Sequence, residues 1–175
     1  RIDAGTLFTQ AVGTGATVTG SVPFNGFSNG VFARNGRLYV TNRADGTLSE
    51  INTQTELFTR KVTIGIPPSI TSSLPFGVGA LDNYIFAANY GVNPLGSSVN
   101  SIYTDTFAIN KTVNSQEQLG EGQFTLMAVN PTRQRAYATN WTFGLYQFDD
   151  ASGDINFNMP RLDLRGTSPE GWFGL

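Results

Sequence analysis

Arg43, Tyr90, Asn93, Trp141, Arg165 and Glu170 are the side chains of this sequence best suited to hold a ligand. Aromatic rings offer a flat face to an apolar surface, while arginine and asparagine supply charge and directed hydrogen bonds. A sugar or a small carboxylate fits that set. In a catalytic chain, Arg43, Arg165 and Glu170 would be the residues to suspect. Trp141 also suits packing between repeated units, as does Trp172. The run "DDASGD" sets Asp150, Ser152 and Asp154 at alternate positions, the spacing of a calcium loop. It lacks the glycine and distant glutamate of the full pattern, so a hairpin turn is expected there and no metal site is assigned. Asp149 and Asp150 are adjacent, which in a strand points them to opposite faces and argues against a paired acid and base.

Two absences narrow the chemistry further. The 175 residues contain no cysteine and no histidine. Disulfides, thiol nucleophiles and cysteine-based zinc sites are excluded, as are the Ser-His-Asp triad and the commonest metal ligand. No catalytic residue and no cofactor are assigned. Net charge is −2 and the only lysines are Lys61 and Lys111. Without a basic stripe, nucleic acid is not an expected partner. No apolar run approaches the roughly 20 residues of a membrane helix. The missing cysteines suit an extracellular, periplasmic or cell-surface setting as well as the cytosol, and the first is expected.

The candidate residues must be held by some frame, and the composition says which kind. Hydrophobic residues make up 39% and charged ones 14%, with 20 glycines and many Thr, Asn and Ser. That mixture suits many short strands joined by turns in one globular domain. Phenylalanines fall at Phe27, Phe76, Phe124 and Phe173, with spacings of 49, 48 and 49 residues. Three strands ending in asparagine keep the same period, "LYVTN" at Asn42, "IFAAN" at Asn89 and "AYATN" at Asn140. Each unit reads as four strands. The first holds "FSNGVFA", an Asn-Gly turn of type I′, "LYVTN", "TLSEIN" and "LFTRKVTI". The third repeats it as "FTLMAVN", "RAYATN", "GLYQFD" and "INFNM". Repeats of this length with four strands each point to an all-β β-propeller of four-stranded antiparallel blades, about three and a half of them in this chain, within a larger ring of, for instance, seven. The asparagines are expected to fix the turn that follows by bonding its backbone. Small residues in each first strand (Gly30, Ala33, Gly79, Ala80, Ala128) suit crowding around a central channel.

"GRLYVTNRADGTLSEINTQTE" and "VNPTRQRAYATNWTFGLYQFDDASGDI" resemble the YVTN-type β-propeller repeat and the related lactonase-like seven-bladed propellers. The resemblance covers residues 27–172. It implies a propeller fold and a family spanning surface and adhesion-type proteins, lactone hydrolases and muconate-cyclising enzymes. The cyclising enzymes are built around a histidine, which this chain lacks, so no catalytic residue is carried over. Asn42, Asn89 and Asn140 transfer as motif positions.

The period divides the chain into the end of one blade (1–26), three blades (27–75, 76–123 and 124–172) and the start of another (173–175). Further blades, in the same polypeptide or a partner chain, are therefore expected to complete a ring. Strand two to three and strand four to one connections should share one face. The longest of the former, in the second unit, carries Tyr90 and Asn93. The function expected is a non-catalytic extracytoplasmic propeller that binds a protein or glycan or builds a surface assembly. The alternative is a lactonase-like hydrolase or isomerase acting at the channel mouth. Sequons occur at Asn110 and Asn140.

Overall fold

A computed structural model describes residues 28–64, 74–91, 97–114, 123–140 and 144–154. Eleven strands are formed among these residues, and no helix. The first sheet is a meander of β1 (Ser28–Arg34), β2 (Arg37–Asn42), β3 (Thr47–Asn52) and β4 (Phe58–Thr63). The second is β5 (Leu74–Ala80), β6 (Tyr84–Tyr90), β7 (Ser98–Tyr103) and β8 (Ile109–Asn114). The third contains β9 (Phe124–Asn130), β10 (Arg135–Asn140) and β11 (Gly144–Asp149). All pairings are antiparallel. The expected fourth strand "INFNM", the flank 1–26 and the stub 173–175 lie outside the described residues.

The sheets stack face to face, with their first strands adjacent: β1 lies against β5, and β5 against β9. Strand alternation sends one set of side chains to each neighbour. Between the first two sheets lie Tyr39, Leu48 and Ile64 against Val78, Ile85, Ala87, Ile102 and Phe107. Between the second and third lie Tyr84, Phe86, Val99 and Val113 against Phe124, Tyr146 and Phe148. Phe86 meets Phe148 with ring centroids 5.7 Å apart, and Phe124 meets Tyr146 edge-on at 5.6 Å. Each large side chain so buried contributes about 1.5–3 kcal/mol against an exposed one.

Inner strands come close because of a shared irregularity. In each first strand two residues oppose one residue of the second: Asn29 and Gly30 face Thr41, Phe76 and Gly77 face Ala88, and Thr125 and Leu126 face Thr139. This is a β-bulge, repeated three times. A Cβ on Gly30 would collide with the Phe76 carbonyl oxygen, and one on Gly77 would sit 2.5 Å from that of Thr125. Backbone packs on backbone there, so only glycine fits. The bulges also correct the phase expected from phenylalanine. Phe124 opposes Asn140, but Pro75, not Phe76, opposes Asn89. The asparagines mark equivalent positions; the phenylalanines only share a spacing.

At the opposite ends of the strands one turn recurs. Glu56, Phe107 and Gly153 have φ of 61°, 59° and 67°. Their N–H groups donate to the carbonyls of Asn52, Tyr103 and Asp149 at 2.8, 2.9 and 2.8 Å. The residue after each of those carbonyls then donates its N–H to the neighbouring hairpin: Thr53 to Gly36, Thr104 to Asn83 and Asp150 to Gln134. The Asn35-Gly36 hairpin has φ of 48° and 72°, both positive as a type I′ turn requires.

Candidate functional site

The meander decides which groups meet. The β2–β3, β6–β7 and β10–β11 connections leave from the strand ends at which β4 and β8 finish, as expected. Adjacent sheets run in parallel, because Asn29 Nδ2 reaches the Pro75 carbonyl at one end and Arg34 Nη1 the Ala80 carbonyl at the other. One end of the arc is therefore a loop face and the other a hairpin face.

On the loop face, Arg43 is exposed and makes no hydrogen bond or ion pair to another described residue. Tyr90 is half-buried, its ring 6.5 Å from that of Phe76 and tilted by 46°. Arg43 and Tyr90 lie at the same end of neighbouring sheets. Asn93, Trp141, Arg165 and Glu170 lie outside the described residues, as does Trp172. The connections differ in length: residues 43–46, 91–97 and 141–143. The stems of the longest are tied to the third sheet. Gln123 Nε2 donates to the Gly91 carbonyl at 2.8 Å, and the Phe124 N–H to Ser97 Oγ at 2.8 Å.

Asn42 and Asn89 hold the strands below this face through different partners from those expected. Asn42 Nδ2 donates to Thr47 Oγ1 at 3.0 Å and Ser49 Oγ at 2.9 Å, side chains of β3, not the turn backbone. Asn89 Nδ2 donates to Ser98 Oγ and to Asn100 Oδ1 in the same way. A strand end rich in Ser and Thr opposite the asparagine was the available signal. Asn140 is fully buried, and directly opposite it stands Gly144, where the first sheet has Thr47. Gly46 and Gly144 each lie four residues after their asparagine but are therefore not equivalent. Thr41, one residue before Asn42, fills the bulge: its Oγ1 accepts from the Gly30 N–H at 2.7 Å and donates to the Phe76 carbonyl at 2.8 Å, joining two sheets.

Among the described residues the hairpin face carries most of the charge, and its wiring runs between sheets. Asp82 binds Arg34 Nη2 at 2.5 Å and Gln134 Nε2 at 2.9 Å, so it touches residues of all three sheets. The Arg34 guanidinium holds its carboxyl below the usual aspartate range. Asp150 is buried and accepts from the N–H groups of Asn83 and Tyr84 at 3.1–3.2 Å. Burial raises its pKa, although those hydrogen bonds pull the other way. Glu50, 1% exposed, receives Arg37 Nη1 at 3.0 Å and Arg60 Nη2 at 3.0 Å. Arg60 continues to the Thr104 carbonyl at 2.8 Å and lies 4.9 Å over the Phe107 ring, stapling the first sheet to the second. Lys111 does the equivalent job one sheet on by pairing with Asp154.

These contacts settle the residues of "DDASGD". Asp149 pairs with Arg135 at 3.0 Å, Asp150 caps the neighbouring hairpin, and Asp154 holds Lys111. The run is a hairpin turn. No group of three His, Cys, Asp or Glu placed to hold a metal occurs among the described residues. The Asn110 amide donates to Ser101 Oγ and the Ser152 carbonyl, which occupies that sequon in an inter-sheet contact. Sequence reading missed Glu50, Arg60 and Asp82, because nothing local distinguishes them from ordinary strand and turn residues. No helix among the described residues is long and apolar enough to cross a membrane.

Comparison with known proteins bears on the frame. No family model and no curated protein matches the chain. Among solved structures, it is similar to the dihydro-heme d1 dehydrogenase NirN (TM-score 0.53, 10% identity, 69% of this chain and 25% of that one). A europium-containing methanol dehydrogenase aligns with TM-score 0.53 and 10% identity over 71% of this chain and 30% of that one. The computationally designed Ika4 protein aligns with TM-score 0.56 and 12% identity over 81% of this chain and 77% of that one. The chain thus spans between a quarter and a third of the two dehydrogenases. Both are β-propeller proteins, and the likeness extends to the fold alone. Three antiparallel sheets, stacked around adjacent first strands, form an open part of a β-propeller.

Proposed function

We propose that the chain is a non-catalytic propeller module, working outside the cytoplasm, that binds a protein or glycan or joins a surface assembly through its loop face. The observation that carries this reading is the uneven use of polar groups. On the hairpin face Asp82, Asp150 and Arg60 are spent on contacts between sheets. On the loop face Arg43 has no described partner, and residues 91–97 form a longer connection than either equivalent. Blade packing asks for only a short link there, and variable loops on a rigid scaffold commonly carry binding. Asn93 and Trp141, with Arg165 and Glu170 from the connections into later strands, are proposed to complete the site.

The ring itself is proposed to be finished by further blades, in the same polypeptide or a partner chain. Seven blades at this period need roughly twice the present length. A well-folded, soluble 18.9-kDa monomer in light scattering would refute that completion. For the function, the test is a panel of glycans and surface proteins alongside a panel of lactones. Saturable binding that is lost on cutting residues 91–97 to four, or on Trp141→Ala, supports the reading. Lactone hydrolysis that survives repurification overturns the non-catalytic part of it and favours the hydrolase alternative.

A further inference from the structure

Asn-Gly occurs twice among the described residues, at Asn29-Gly30 and Asn35-Gly36, in two unlike settings. We propose that Asn35 is a site of spontaneous deamidation in the folded protein, and that Asn29 is protected. The reaction is an attack of the next residue's deprotonated backbone nitrogen on the asparagine Cγ. A C–N bond forms, the side-chain nitrogen leaves as ammonia, and a succinimide results. Water then opens either carbonyl to give aspartate or isoaspartate. Three conditions govern the rate: an accessible side chain, an amide N–H free to lose its proton, and no Cβ on the following residue to crowd the ring.

Asn35 and Gly36 meet all three. Both are exposed at the tip of the β1–β2 hairpin, and the Gly36 N–H donates to no described group. A Cβ at Gly36 would meet nothing nearer than 3.9 Å, so the space for ring closure is open. At Asn29 the side-chain Nδ2 is tied to the Pro75 carbonyl at 3.2 Å, and the Gly30 N–H is held by Thr41 Oγ1 at 2.7 Å. Gly30 is also packed against the backbone of β5. The same dipeptide is thus open in a turn and locked in a bulge.

The conversion has a structural consequence. The Gly36 carbonyl accepts the Thr53 N–H at 3.0 Å, linking the hairpin to the β3–β4 turn. Isoaspartate lengthens the backbone by one carbon and spoils the type I′ geometry that aims this carbonyl. Next to it, Arg34 makes the inter-sheet bond to Asp82. A new carboxylate at position 35, flanked by Arg34 and Arg37, competes for those guanidinium groups. Deamidation would therefore loosen the contact between the first and second sheets.

The test is timed incubation of the folded protein at mildly alkaline pH, read by peptide mass mapping with a protease that cuts outside 34–37 and by isoaspartate methyltransferase labelling. The unfolded chain in denaturant is the reference. The expected result is that both sites convert at similar rates when unfolded, while in the folded protein Asn35 converts at least tenfold faster than Asn29. Thr41→Val, which releases the Gly30 N–H, should raise the Asn29 rate and leave that of Asn35 unchanged. Equal rates at the two sites in the folded protein would overturn the proposal. So would an Asn35 that converts when unfolded but stays intact when folded, since the turn would then be protective.

Discussion

At the hairpin face, all three sheets build the same turn. Glu56, Phe107 and Gly153 share a left-handed backbone and one hydrogen-bond pattern, though their side chains have nothing in common. At the loop face, the asparagines and bulges are in register, yet the connections above them run over 43–46, 91–97 and 141–143. The contrast follows from what each end must do. Hairpin turns touch the next sheet, so a change in one is felt in its neighbour. The links after the second strand differ in length, and in the longest the described ties to the next sheet are those at its stems, Gly91 and Ser97.

Breaking the shared frame should have the largest effect. Gly77→Ala places a Cβ 2.5 Å from the Thr125 carbonyl oxygen, and backbone cannot yield as a flexible side chain does. A loss of about 3 kcal/mol, the upper end of ordinary overpacking, is expected in urea denaturation. Glu50→Ala should cost less, about 2 kcal/mol, because it strands two cationic partners that keep some contact with water. Their side chains are 39% and 31% exposed. Glu50→Gln should recover part of that loss.

A third test uses pH. The carboxyl of Asp82 titrates below its unfolded value, so its contribution to stability is present above the ordinary aspartate range and disappears as pH falls through the depressed value. Asp150 is raised, so its protonation favours the folded state and partly offsets that acid loss. Asp82→Asn should therefore flatten the fall in denaturation midpoint on the acid side. An unchanged profile would mean that the Arg34–Asp82 bond adds nothing to the contact between sheets. The smallest effect belongs to Glu56→Gly. Relieving a left-handed non-glycine residue, as Gly153 already does in the third sheet, should stabilise by up to about 1 kcal/mol.

Much of this frame was legible in the sequence. "TLSEIN", "FTLMAVN", "RAYATN" and "GLYQFD" are β3, β9, β10 and β11 to the residue. Alternation and turn chemistry are local, so a local reading finds them. The Asn35-Gly36 turn is of the same kind. The bulges were not legible, because an extra residue in one strand shows only against its partner, and the phenylalanine spacing concealed the shift at Pro75. Nor were the bonds of Asp150 to Asn83 and Tyr84, which join residues 66 and 67 positions apart. Of the candidate site, the sequence placed Arg43 and Tyr90 on one face through strand order alone.

The proposed division between a structural face and a binding face can be tested by one binding comparison. A glycan and surface-protein array would be probed with the unaltered chain, with Arg43→Ala combined with residues 91–97 replaced by the short loop 43–46, and with Arg34→Ala. All three would first be checked for a cooperative denaturation transition. The loop-face variant is expected to bind at least about tenfold more weakly, equivalent to roughly 1.4 kcal/mol, while Arg34→Ala binds as the unaltered chain does. Full binding by the folded loop-face variant, or loss confined to Arg34→Ala, would contradict the proposed division.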